Sequence, residues 1–67
     1  MYSETIGDNA GLIWKALEEN GQMNFTALKK AAGINDKHLY LGIGWLARED
    51  KIAFEQKKNQ VLVDLKQ

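Results

Sequence analysis

The apolar residues of this chain keep a helical spacing as far as Leu46 and alternate from Ile52 onward, and this single change of period constrains the fold more than any other feature. Ile6, Ala10, Ile13 and Leu17 form the stripe of an amphipathic helix. Phe25, Leu28, Ala31 and Ala32 make one side of a second, shorter helix, and Leu39, Ile43 and Leu46 make the stripe of a third. Beyond Asp50-Lys51 the pattern is that of strands. Ile52 and Phe54 alternate with Ala53 and Glu55, and Val61, Val63 and Leu65 alternate with Leu62 and Asp64. With Lys58-Asn59 as the turn, Phe54 faces Val63 and Ile52 faces Leu65. All four side chains then share one face, which a slip of one residue would destroy.

The residues between these runs punctuate them. Ser3 or Thr5 can cap the first helix, Thr5 with Asp8 resembling a capping box, and Asn20-Gly21 ends it. Asn24 is placed to cap the second helix, with Met23 and Leu28 spaced for a hydrophobic staple, and Gly33 stops it. Asn35 caps the third. The spacing predicts helices over 4–20, 25–32 and 36–49, strands over 51–56 and 60–65, and a short strand near Gln22-Met23 that pairs with the hairpin. A short helix, a three-residue turn containing Gly and a longer helix make a helix-turn-helix, and the hairpin supplies a wing. The fold class is mainly α with a small β-hairpin: a winged helix-turn-helix of three helices and a two- or three-stranded wing, one domain over 1–67. Its core is expected to hold Ile6, Ala10, Ile13, Leu17, Leu28, Leu39, Ile43, Leu46, Ile52, Phe54, Val63 and Leu65.

Sixty-seven residues bury a modest fraction of their surface, so stability is marginal and self-association would help it. There is no cysteine, which excludes disulfides and thiolate metal sites, and His38 alone cannot build a zinc site. No basic stretch precedes an apolar run, and no run approaches the length a bilayer requires, so a soluble, cytoplasmic protein is expected. Formal net charge is zero, but it is unevenly spread. Residues 1–20 carry Glu4, Asp8, Glu18 and Glu19 against Lys15, a net of −3, and residues 21–67 carry eight Lys/Arg against five Asp/Glu, a net of +3. No Ser–His–acid set, carboxylate pair or glycine-rich phosphate loop can be assembled, so neither enzymatic activity, a cofactor nor a small-molecule substrate is expected.

The chain resembles a family of short bacterial winged helix-turn-helix proteins of unassigned function. The resemblance rests on Ile6-Gly7-Asp8-Asn9-Ala10-Gly11 leading to Trp14, on Leu28-Lys29-Lys30, and on the run from Tyr40 to Glu49 followed by Asp50-Lys51-Ile52. It covers nearly the whole chain. It implies the fold, a bacterial origin and a role in transcription, and it supplies no established site.

Two functions compete for the outer surface. In a DNA-binding module the third helix enters the major groove. Projected with its core stripe inward, that helix presents Lys37, Leu41, Gly44 and Arg48, with Tyr40 and Trp45 at the edges. Lys37 and Arg48 can read base edges, and Leu41 can touch a thymine methyl group. Lys57 and Lys58 at the wing tip, and Lys29 and Lys30 on the second helix, would meet phosphates of double-stranded DNA. The alternative for each is an ordinary solvated charge. In a protein-interaction module an apolar face would instead take a partner; a homodimer is expected under either reading, its interface built from Gly7, Gly11, Leu12, Trp14 and Trp45, the two tryptophans otherwise belonging to the core. Neutral net charge and the sparse Leu41–Gly44–Trp45 face favour the interaction module, and the usual role of the fold favours DNA. Gly42 is expected to allow tight packing on a neighbouring helix, whereas Gly44 points outward.

Overall fold

The computed structural model describes the backbone of residues 2–66 and the side chains of residues 7–66. Its elements are α1 (Tyr2–Asn20), β1 (Met23–Asn24), α2 (Phe25–Ala32), α3 (Asp36–Arg48), β2 (Ile52–Lys57) and β3 (Gln60–Leu65). The expectations on Ser3, Glu4, Thr5 and Ile6 concern side chains outside the described residues. Helix α1 starts two residues earlier than its apolar stripe predicts, and β1 falls at Met23–Asn24 rather than Gln22-Met23.

The caps follow the expected chemistry. The Asn24 side-chain oxygen accepts the Ala27 N–H at 2.8 Å, and that of Asn35 accepts the His38 N–H at 2.9 Å. Gly33 closes α2 in the left-handed conformation, φ 70°, which its missing Cβ permits without strain, and its N–H bonds Lys29 O at 2.9 Å. Asp50 takes φ 59° after α3, and the Lys51 N–H returns to Leu46 O at 2.9 Å, turning the chain toward the wing.

The sheet is antiparallel in the order β1-β3-β2. Phe54 pairs with Val63, Ile52 with Leu65, and Lys57 with Gln60 around a Lys58-Asn59 turn, the register that apolar alternation requires. Strand β1 adds Met23 opposite Val63 and Asn24 opposite Leu62. On the other sheet face Gln22 Nε2 donates to Glu55 Oε1 at 2.9 Å, and Leu62 is half-buried.

Ala10, Ile13, Leu17, Leu28, Leu39, Ile43, Leu46, Ile52 and Val63 form the core as expected, joined by Ala16, with Leu65, Met23 and Phe25 packed against its side. Phe54 departs from expectation. It lies on the same sheet face as the fully buried Val63 but is 48% exposed, because β2 is an edge strand and the helical layer covers it only at Ile52. Trp14 and Trp45 are also outside the core, at 40% and 42% exposure.

Helices α1 and α3 meet at Gly42. A Cβ there would stand 2.5 Å from Ile13 Cδ1, 3.3 Å from Ala10 N and 3.4 Å from Asn9 C. The absent side chain therefore sets the distance between the two helices.

Candidate nucleic-acid interface

The third helix is anchored inward by Leu39, Gly42, Ile43 and Leu46, all buried. At 100° per residue, Lys37, Leu41, Gly44 and Arg48 fall within about 60° of one another on the opposite side. Lys37, Gly44 and Arg48 are exposed and Leu41 is half-buried. A Cβ at Gly44 would meet nothing within 4 Å, so this face is open to close approach. Tyr40, 54% exposed, flanks it and meets Phe25 of α2 edge-to-face, ring centroids 5.8 Å apart at 87°. Trp45 flanks the other edge.

The basic residues expected on α2 and at the wing tip fall into two groups. Lys30, Lys57 and Lys58 are exposed, Lys57 standing 4.0 Å from Glu55 of its own strand. Lys58 sits at the wing tip with φ 51°. Lys29 instead holds Asp36 at 2.9 Å, a tie between α2 and the first turn of α3. Both side chains of this pair are exposed to solvent.

Gly7, Gly11 and Trp14 lie along one exposed stripe of α1, and neither glycine has an atom within 4 Å of a built Cβ. Leu12, also exposed, lies about 160° around the helix from Trp14, so the four do not make one continuous face. Among the described residues no group of three His, Cys, Asp or Glu side chains could hold a metal ion, and no helix is long and apolar enough to cross a membrane.

One feature of this side of the molecule is not foreshadowed by the sequence. Between the start of α2, Tyr40 and the wing tip lies an open cavity of about 390 Å³, lined in part by Phe25, Thr26, Asn59 and Gln60. No sequence signal marks it, because its walls come from segments far apart in the chain that the fold brings together.

Three helices, a short β1 and a two-stranded wing define a winged helix-turn-helix protein. The chain belongs to the family described as winged helix-turn-helix domain (DUF2582), which it matches over residues 1–65. It is 36% identical over 64 residues to the uncharacterized protein MJ1608 of Methanocaldococcus jannaschii, an alignment covering 91% of this chain and 90% of that protein. Its fold is similar to the solution NMR structure of protein BT2368 from Bacteroides thetaiotaomicron, with TM-score 0.88, 31% identity, and coverage of 97% of this chain and 79% of the other. The first relative is archaeal, so the likeness extends beyond the bacterial proteins the sequence resembles.

Proposed function

We propose that this domain binds double-stranded DNA, weakly and in the service of transcription regulation in the cytoplasm. The observation that carries the reading is the open outward face of α3, where Lys37 and Arg48 flank a Gly44 with nothing near it. Helix three would enter the major groove, where Lys37 and Arg48 reach base edges and Gly44 admits close approach. Lys30, Lys57 and Lys58 would lie along the backbone. Three neutralised phosphates give a slope of about −2.7 in log affinity against log salt, or about 40-fold weaker binding between roughly 50 and 200 mM. Titration of a duplex across that range tests the proposal. No detectable binding at about 50 mM salt would overturn it.

A second reading, a homodimer or protein-interaction module, is favoured by the exposure of Trp14 and Trp45. Pairing through Trp14 and the Gly7–Gly11 stripe would leave the α3 face free, and pairing through Trp45 would cover its edge. Sedimentation equilibrium at micromolar concentration, with Trp14→Ala and Trp45→Ala as variants, separates these arrangements from a monomer.

A further inference from the structure

The cavity beside Tyr40 is distinguished by the chemistry of its lining. Its walls are aromatic and apolar, from Phe25, Tyr40 and Val61, and its polar groups are uncharged. Gln60 Oε1 accepts the Asn24 Nδ2 donor at 2.9 Å, leaving Gln60 Nε2 available. The Thr26 and Tyr40 hydroxyls and the Asn59 amide make no hydrogen bond among the described residues. Among the described residues no Lys, Arg, Asp or Glu lines it. The smaller hollow next to it does include Lys29 and Asp36, but these are spent on each other at 2.9 Å.

This combination selects against phosphates and metal ions and for a flat, neutral, hydrogen-bonding ring. A ring stacks on an exposed aromatic face, and amides pair with its edge. Tyr40 is 54% exposed and its contact with Phe25 is edge-to-face, so the ring is not sandwiched between others. At about 390 Å³ and open to solvent, the cavity has room for a nucleobase with its sugar outside. It also lies between α3 and the wing tip, the two elements that the DNA-binding reading sets against the double helix.

We infer that this cavity is a nucleobase site, taking a base unstacked from the bound strand. The inference rests on the DNA-binding reading for the source of the base. Tyr40 stacks on the ring, and Asn59 and Gln60 bond its edge. A free nucleoside presents the same chemistry, and the experiment distinguishes the two sources.

The test compares a fully paired duplex with one carrying a single unpaired adenosine, and titrates adenosine alone while following the side-chain amide NMR signals of Asn59 and Gln60. The variants are Gln60→Leu, which keeps the shape and removes the amide, and Asn59→Ala. The expected result is at least about fivefold tighter binding of the bulged duplex, a preference reduced in both variants, while affinity for the paired duplex stays within about twofold. Paired and bulged duplexes bound equally, with no amide shifts from adenosine, would overturn the inference and leave the DNA-binding reading standing. Equal binding with adenosine shifts at the Asn59 amide that vanish in Gln60→Leu would assign the site to a free nucleoside. If neither duplex binds, the DNA-binding reading falls, and the adenosine titration alone decides whether the cavity is a nucleobase site.

Discussion

Two glycines two residues apart on α3 should respond to the same substitution in opposite directions. Exchange of Gly for Ala in a helix interior gains about 1 kcal/mol from backbone entropy and propensity. At Gly44 nothing opposes this gain, because a Cβ meets nothing within 4 Å. At Gly42 the new methyl would lie 2.5 Å from Ile13 Cδ1 and 3.3 Å from Ala10 N. Ile13 is fully buried, and Ala10 N is backbone, so relief requires α1 and α3 to separate or Ile13 to leave its rotamer. Overpacking of this kind costs about 1–3 kcal/mol. The net expectation is about 1 kcal/mol of stabilisation for Gly44→Ala and up to about 2 kcal/mol of loss for Gly42→Ala. For a domain of this size each kcal/mol moves the midpoint by about 4–8 °C, so thermal and urea unfolding by circular dichroism separates the two easily. Ile13→Val removes the clashing Cδ1. Alone it should cost about 0.5–1.5 kcal/mol, and in the Gly42→Ala background it should cost much less or be favourable. If Gly42→Ala is as stabilising as Gly44→Ala, or if the double variant is simply additive, the helix contact described here is wrong.

Other consequences are equally direct. Leu28→Ala should cost about 2–5 kcal/mol and leave a largely unfolded domain, whereas Phe54→Ala should cost well under half as much, as read by urea denaturation. Asn24→Ala and Asn35→Ala should each lose about 1 kcal/mol, since each removes an N-cap whose bond to the backbone is formed at 2.8–2.9 Å, and Asn→Ser should restore most of it. In duplex titrations, Lys57→Ala with Lys58→Ala should weaken binding on all sequences alike and flatten the salt slope by about 1.8, whereas Arg48→Ala should alter sequence preference.

Much of this architecture is legible without coordinates because local chemistry and long-range pattern agree. The hairpin register follows from period-two alternation on either side of Lys58-Asn59, and the helix limits from Asn24, Gly33 and Asn35. Alternation assigns a side chain to a face but says nothing of how far the opposing layer extends, which is why Phe54 was expected beside Val63 in the core. Helical projection has the same limit at Trp14 and Trp45, where it gives direction and not depth. The Lys29–Asp36 pair depends on the path of the turn between α2 and α3, which no spacing rule supplies. The open face of α3 is legible as a set of residues, while the cavity beside Tyr40 is not, because Phe25 and Gln60 become neighbours only through the sheet.

The strand order also governs when the sheet can exist. Strand β3 is central, and among the described residues neither β1 nor β2 has another partner. Met23 must wait for Val63 and Ile52 for Leu65, so closing β1 onto the sheet spans 63 − 23 = 40 residues of chain. Loop closure of that length is entropically unrewarded until the contacts at its end are made, which places this step late and ties it to global folding. During synthesis from the N-terminus, all three helices are made before β3, so the core still lacks Val63, which is fully buried in the finished fold. The last-made strand is therefore the one that turns three loosely associated helices into a folded unit, and segments ending before Gln60 should remain without tertiary structure.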